Sequence, residues 1–222
     1  MKKVLVLAEG QTEFYFLRGI LAPHLQNQQV VIVPTILESG RLRPDLKFRG
    51  GATSYTRIRK HLRELLRDSS ATAVTTMLDF YGLPLDFPGL DSLPSRSTCY
   101  QRVDHLEQAL AADIEDRRVL PYLSLHEFES ILFADPAAVQ EAFPDIPLEG
   151  PLRAICDCVG SPEEIDDGPS THPSARLKAL LPLFRKRKDG PPLAERIGLP
   201  TIRTRCPHFD SWISRLEALG NP

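Results

Sequence analysis

The chain has 222 residues, of which 42% are hydrophobic and 25% are charged, and its formal net charge is −2 at pH 7. This composition is typical of a globular protein with one buried core, and it excludes a disordered chain or one coated with positive charge. No apolar run approaches the roughly 18 residues that are needed to cross a bilayer. The apolar stretch at residues 4–8 is short and meets Glu9 without a small-residue cleavage site. We therefore expect a cytoplasmic protein with no membrane partner.

The first part of the sequence predicts a strand, a helix and a second strand. Residues 3–8 form a continuous apolar run, which is typical of a strand covered on both faces. Thr12 is a suitable N-cap for a helix whose apolar stripe reaches Leu25. Residues 30–37 are rich in β-branched side chains, and Pro34 within them favours a position at the edge of the sheet.

The same alternation of strands and helices continues through the middle of the chain. The predicted elements are a helix at 54–68, a strand at 71–78, a long loop at 80–97, a helix at 103–114 and a strand at 119–125. This order predicts an α/β protein with a mostly parallel sheet flanked by helices. After residue 143 the periodicity weakens and prolines become frequent. We therefore predict an α/β domain at 1–143 and an irregular, mainly helical C-terminal extension at 144–222, packed on the same core.

Charge is distributed unevenly along the chain. Between Arg41 and Arg67 there are nine basic residues and two acidic ones, and residues 185–188 form a second basic run. Such runs are either solvated surface or a patch that binds phosphate groups. The candidates for contacting nucleic acid in the first segment are Arg41, Arg43, Arg49, Arg57 and Lys60.

The four cysteines allow two interpretations. Cys156, Cys158, Cys206 and His208 could together hold zinc, but they lack the C-x₂-C spacing of common structural sites. Buried free thiols in a reducing compartment are the simpler interpretation.

Acidic residues follow three of the predicted strands. Glu9 follows the first strand, Asp79 ends the third, and Glu127 lies just beyond the fourth. Because the carboxyl ends of parallel strands meet at one edge of a sheet, these carboxylates are expected to converge. Glu13, four residues after Glu9, can face the same crevice. Such oxygen ligands suit Mg²⁺ or Mn²⁺. The alternative is that these acids are surface or helix-capping residues.

Several short motifs resemble a Toprim domain, the Mg²⁺-binding fold of topoisomerases, primases and the overcoming-lysogenization-defect (OLD) nucleases. They are VLAEGQTE at residues 6–13 and LDFYG at 78–82. The stretches LHEFESILFAD at 125–135 and RTRCPHFDSW at 203–212 resemble an uncharacterised prokaryotic family of small Toprim-like proteins, often encoded beside an ABC-type ATPase. The resemblance implies a Toprim-like (Rossmannoid) fold.

The resemblance also implies roles for individual residues. Glu9 matches the glutamate that acts as general acid/base or metal ligand, and Glu13 matches the second acid of the OLD nucleases. Asp79 matches the first aspartate of the Asp-x-Asp pair, but Tyr81 stands in place of the second. From its position, Glu127 could supply the missing ligand. The candidates for supporting these ligands are Tyr81, His126 and Glu129, although a histidine at the end of a strand is more often structural.

Together these features predict a Mg²⁺-dependent nuclease or phosphotransfer enzyme that acts on nucleic acid. Glu9 and Asp79 would be catalytic, and Glu9, Glu13, Asp79 and Glu127 would hold the metal. The resemblance implies an ATPase partner and a role in anti-phage defence. The alternative is a non-catalytic, Toprim-derived binding subunit that docks on the ATPase. The sequence does not distinguish DNA from tRNA as the substrate, and it does not indicate an oligomeric state.

Overall fold

A parallel β-sheet forms the centre of the molecule. The computed structural model describes residues 1–37, 54–165, 168 and 170–220. The strands are β1 (Lys2–Ala8), β2 (Val30–Ile36), β3 (Ala73–Asp79), β4 (Val119–Leu120) and β5 (Leu123–Ser124). They are ordered β2-β1-β3-β4, with β5 also paired to β3, and every pairing is parallel. The predicted α/β class is therefore confirmed, with helices flanking the sheet and a helical C-terminal part.

The burial of each strand follows from its position in the sheet. All seven residues of β3 are buried, because this strand has neighbours on both sides and helices on both faces. β2 lies at the edge, and its Val31 and Val33 remain partly exposed. Pro34 is tolerated in β2 because an edge strand can lack one backbone donor.

The fourth predicted strand is divided in two. Residues 119–125 were expected to form one strand, but Pro121 separates β4 from β5. Proline has no backbone N–H, so it cannot continue the ladder. A side chain of β3 replaces the missing bonds: the hydroxyl of Thr76 accepts a hydrogen bond from the Tyr122 N–H at 2.9 Å and donates one to the Tyr122 carbonyl at 2.8 Å.

The helices surround the sheet on both faces. They are α1 (Gln11–Phe16), α2 (Ala22–Asn27), α3 (Tyr55–Leu66), α4 (Cys99–Ile114), α5 (Pro136–Ala142), α6 (Glu149–Cys156), α7 (Pro173–Leu180), α8 (Lys186–Ile197), α9 (Leu199–Arg205) and α10 (Pro207–Gly220). A π-helical turn joins α1 to α2, and 3₁₀ turns include Phe80–Gly82 and Phe128–Phe133. None of the helices in the described ranges is long and apolar enough to span a membrane.

The first helix begins earlier than predicted. Its N-cap is Gly10 and not Thr12, which is buried within the first turn. The carboxylate of Glu13 accepts a hydrogen bond from the Gly10 N–H at 2.9 Å. This bond satisfies a backbone donor at the helix start that a threonine cap at position 12 would leave unpaired.

Two clusters of buried apolar side chains lie on opposite faces of β1. Val4 and Val6 belong to the cluster that also contains Trp212 of α10, whereas Leu5 and Leu7 belong to the cluster under α3 and α4. The C-terminal helices thus pack on the sheet face that α1 and α2 cover. The predicted division of the chain near residue 143 stays a prediction.

Trp212 joins α10 to the sheet. Its side chain is 2% exposed, stacks on Tyr122 with ring centroids 4.3 Å apart, and donates a hydrogen bond from Nε1 to the Thr75 hydroxyl at 2.9 Å.

We expect W212A to lower the free energy of unfolding by about 3–5 kcal/mol, because it leaves a large cavity and removes the hydrogen bond to Thr75. Denaturant unfolding measures the loss. The control L183A, at a position 90% exposed, should change stability by less than about 0.5 kcal/mol. A loss below about 1 kcal/mol in W212A would contradict this packing of α10.

Candidate metal centre

A buried acidic triad lies at the carboxyl edge of the sheet. It consists of Asp79, the last residue of β3, and of Glu127 and Glu129, which follow β5. One oxygen from each of the three side chains lies within 4.8 Å of the others. Such a group could hold a metal ion. The convergence follows from the parallel sheet, which brings the ends of β3 and β5 to the same edge.

Asp79 is fixed by two hydrogen bonds to neighbouring segments. Its backbone N–H donates to Oε2 of Glu9 at 2.7 Å, and its Oδ1 accepts from the Phe128 N–H at 2.8 Å. The first bond ties the end of β1 to the end of β3. The second ties β3 to the turn that carries Glu127 and Glu129. The other carboxylate oxygen of Asp79 accepts no hydrogen bond from a described residue and is available to a cation.

Glu127 is saturated by hydrogen bonds from the C-terminal half of the chain. Its Oε2 lies 2.9 Å from Nδ1 of His172 and accepts from the Ser174 N–H at 2.8 Å. Its Oε1 accepts from the Ser174 hydroxyl at 3.1 Å and from Lys186 Nζ at 3.0 Å. These hydrogen bonds therefore fix the Glu127 carboxylate in place. It could ligate a cation only if the cation displaced Lys186 from Oε1.

Lys186 bridges two members of the triad. Its ammonium lies 2.9 Å from Glu129 Oε2 as well as 3.0 Å from Glu127 Oε1. Lys186 is the first residue of α8, a helix that packs against α1. From the sequence alone, the basic run at 185–188 is expected to be solvated surface or a phosphate-binding patch. For Lys186 this was wrong, because the side chain turns inward to neutralise buried acids.

Glu9 and Glu13 lie next to the triad but are not members of it. Glu9 contacts it through the Asp79 N–H, and a Cβ added at Gly82 would lie 3.0 Å from Glu9 Oε1. Glu13 is buried and bonded to the Gly10 N–H. In the structure, Asp79 therefore forms a cluster with Glu127 and Glu129. The cluster expected from the sequence is Glu9 and Asp79 with Glu13 or Glu127. Glu129, expected only to support the ligands, is a member of the triad.

Burial and mutual repulsion perturb the protonation of these acids. Burial raises the pKa of Asp79 well above its usual value, and the charges of Glu9 and Glu13 raise it further. Burial, followed by the charge of Glu9, raises the pKa of Glu13 to about 7. Burial also raises the pKa of Glu9. The ionised carboxylates are therefore disfavoured in this site, and any cation that binds here favours them.

Lys186 acts to lower the pKa of both of its partners, but the net pKa shifts of Glu127 and Glu129 have opposite directions. Burial acts to raise the pKa of Glu127, but the Lys186 charge and the hydrogen bonds of Ser174 and His172 outweigh it and lower the pKa. For Glu129 burial prevails over the Lys186 charge, so its pKa is raised. Burial acts to lower the pKa of Lys186 itself, but its two carboxylate partners raise it, so it remains a cation.

The two other residues expected to support the ligands lie beside the triad. His126 is buried, and its carbonyl accepts a hydrogen bond from the Tyr81 N–H at 3.0 Å. Tyr81 is 43% exposed, and its ring stacks on the imidazole of His172. Tyr81 thus supplies no carboxylate where the Toprim motif has its second aspartate.

The structure describes only two of the five residues of the predicted basic patch, Arg57 and Lys60. Arg41, Arg43 and Arg49 lie outside the described residues. Lys60 projects from α3 with a side chain 71% exposed and lies 3.8 Å from Glu64, whereas Arg57 is half-buried. The contacts of this patch with nucleic acid stay a prediction.

The residues of the possible zinc site differ in exposure and in hydrogen-bond partners. Cys156 and Cys206 are buried, and Cys158 is exposed. The Cys156 thiol donates to the Phe133 carbonyl at 3.3 Å, and His208 Nε2 lies 3.0 Å from Glu107 Oε1. In the part of the chain that the structure describes, the acidic triad is the group of three or more histidine, cysteine or acidic side chains arranged to hold a metal.

Comparison with known proteins identifies a family. The family described as "Domain of unknown function (DUF4276)" matches residues 8–217, which is nearly the whole chain. No curated protein and no solved structure matches the chain. The match includes every acid of the site and Lys186.

The ion pairs of Lys186 make a specific prediction about stability. K186M leaves Glu127 and Glu129 buried without their cation, so we expect it to lower the free energy of unfolding by about 3 kcal/mol at pH 8 in the absence of metal. The loss should shrink toward pH 5. Without Lys186 the folded-state pKa of both acids rises above the unfolded value, so stability falls as pH increases.

The matched control for K186M is K188M, which removes an exposed lysine of the same helix. Urea unfolding at the two pH values should show K188M close to the wild type at both. Equal losses for K186M and K188M, or a K186M loss independent of pH, would contradict the role of Lys186 as the counter-charge of the triad.

Proposed function

Since the chain belongs to the DUF4276 family, a domain of unknown function, we propose its activity from the site: metal-dependent hydrolysis of phosphodiester bonds in nucleic acid. The observation that carries the proposal is the buried triad of Asp79, Glu127 and Glu129, with oxygens within 4.8 Å of one another. Buried carboxylates this close are unfavourable unless cations neutralise them. Lys186 supplies one positive charge, which is fewer than the acids present.

The chemistry of the donors favours Mg²⁺ or Mn²⁺. The three side chains of the triad offer carboxylate oxygens, the ligands that these hard cations prefer. A bound cation of this kind stabilises negative charge on a phosphoryl group and lowers the pKa of a water molecule. Asp79 and Glu129 are the proposed ligands, because each has an oxygen that accepts no hydrogen bond from a described residue. Glu127 becomes a third ligand when Lys186 moves away from its carboxylate.

Glu9 and Glu13 are proposed for proton transfer and for further ligation. Glu9 keeps one oxygen on the Asp79 N–H, and its other oxygen faces Gly82, where only the absence of a side chain leaves room. Glu13 has a pKa raised to about 7, which suits a group that exchanges protons near neutral pH. The resemblance of residues 6–13 and 78–82 to Toprim motifs supports these roles and the choice of nucleic acid as substrate.

The proposed partners follow from the same resemblance and from the charge pattern. The basic segment that contains Arg57 and Lys60 is proposed to contact phosphates, and an ABC-type ATPase is proposed as a partner in an anti-phage defence complex. Phosphate contacts by arginine and lysine give binding that weakens as salt increases.

One observation favours a second candidate, a non-catalytic subunit that docks on the ATPase. Lys186 already forms ion pairs with both Glu127 and Glu129, and both oxygens of Glu127 accept hydrogen bonds. An internal ammonium can replace a metal as the counter-charge of a structural site. In this case the acids would position α8 and α7 instead of taking part in a reaction.

The test of the enzymatic proposal is hydrolysis of single-stranded DNA, duplex DNA and tRNA by the purified protein with Mg²⁺ or Mn²⁺, with and without the ATPase. E9Q should reduce the rate by at least ~10²-fold, the lower range for loss of a general acid or base. The glutamine can still accept the hydrogen bond of the Asp79 N–H, so the fold is retained. D79N should have a similar effect and should weaken metal binding.

The control for both variants is E141Q, which removes an exposed acid of α5 whose ion-pair partner is Arg196. Its rate should equal that of the wild type. Full activity of E9Q and D79N would overturn the enzymatic proposal. Binding of the ATPase that E9Q and D79N leave intact, in a protein whose wild type hydrolyses nothing, would favour the docking subunit.

A further inference from the structure

An exposed aromatic ring lies beside the acidic triad. Tyr81 belongs to the 3₁₀ turn Phe80–Gly82 that directly follows Asp79. Its side chain is 43% exposed, although most large apolar and aromatic side chains of the described residues are buried. One face of the ring stacks on His172, with centroids 4.9 Å apart and an angle of 22° between the planes.

The position of this ring is firmly set by the residues of the site. The Tyr81 N–H donates to the His126 carbonyl at 3.0 Å, and the next residue, Gly82, packs against the Glu9 carboxylate. His172 is in turn held by Glu127 through Nδ1 at 2.9 Å. Both rings of the stack are therefore connected to acids at the carboxyl edge of the sheet. A molecule that lies on Tyr81 is adjacent to the triad.

We propose that Tyr81, supported from behind by His172, is a stacking platform for an unpaired nucleobase. The choice of nucleic acid as the ligand rests on the proposed function. The stacking platform restricts this ligand to single-stranded or unpaired nucleic acid. A flat aromatic ring binds the face of a base, and in a duplex both faces of each base are already covered by neighbouring bases. Stacking on tyrosine does not depend on which base is present, so binding with little sequence preference follows.

A cation for the neighbouring phosphate is supplied by Arg102 of α4. Its guanidinium lies over the ring of Phe80, 4.6 Å from the ring centroid. Phe80 precedes Tyr81 in the same 3₁₀ turn, so the arginine packs on the segment that carries the platform. Arg102 forms no ion pair with any residue in the described ranges, which leaves its donors available. The combination of a stacking ring and a neighbouring arginine is the one that single-stranded nucleic acid binding uses.

The experiment is binding of a single-stranded oligonucleotide that carries 2-aminopurine, made as DNA and as RNA, in EDTA so that no hydrolysis occurs. Wild-type protein should bind it and quench the fluorescence of the base, and should bind the matched duplex more weakly. Y81A should weaken binding by about 10-fold and abolish the quenching. Y81F keeps the ring and should retain both properties. The comparison of DNA with RNA identifies the preferred strand.

Unfolding midpoints of the variants show that the fold is intact, and Y81L offers a second non-aromatic replacement. Binding and quenching by Y81A equal to those of the wild type, or preference of the wild type for duplex, would overturn the platform. Absence of binding to any strand would overturn it as well.

Two outcomes distinguish a failure of the stacking platform from a failure of the proposed activity. Wild-type hydrolysis with Mg²⁺ that is unaffected by Y81A contradicts the platform and leaves the activity. Binding lost in Y81A, in a protein that hydrolyses nothing, supports the platform and contradicts the activity.

Discussion

The two hydrogen bonds of Asp79 connect the parts of the molecule on which the site depends. The backbone N–H of this residue binds the Glu9 carboxylate at the end of β1, and its own carboxylate binds the Phe128 N–H after β5. Three segments that are distant in sequence are thereby held at one edge of the sheet. Because the surrounding side chains are buried, these charges are screened little by solvent, and their mutual repulsion is stronger than it would be at an exposed surface. A site of this kind is balanced by cations, from the protein or from solution, or by protons on its acids.

Lys186 provides part of that balance and also determines how the C-terminal half of the chain is attached. Its ion pairs with Glu127 and Glu129, together with the hydrogen bonds of Ser174 and the contact of His172, attach α7 and α8 to the acidic edge of the sheet. Breaking a buried ion pair costs more than the pair contributes, because one charge remains without a partner. Binding of a divalent cation would therefore be coupled to the position of Lys186, and so to the start of α8. The same packing places His172 behind Tyr81.

The sequence predicted the sheet and the acids at its edge, but not their complete surroundings. The apolar runs at 3–8 and 71–78 placed β1 and β3 correctly, because strands covered on both faces have a continuous apolar pattern. The position of Asp79 and Glu127 at strand ends followed from parallel pairing. Lys186, His172 and Ser174 come from a region without periodicity, 45 to 59 residues from their partner Glu127. Nothing local in the sequence distinguishes Lys186 from the exposed lysine two residues later, since only the tertiary fold turns it inward. Pro121 is the residue in the sequence that indicates the division of the last predicted strand into β4 and β5.

The most direct test of the central claim, that these acids hold a divalent cation, is a crystal structure of the protein grown with Mn²⁺ and measured for anomalous scattering. The account predicts a peak between Asp79 and Glu129, with carboxylate oxygens at about 2.1–2.2 Å, near the distance typical of small divalent cations, and a change in the ion pairs of Lys186. An anomalous map without a peak at this edge of the sheet, with Lys186 still bound to both Glu127 and Glu129, would contradict it.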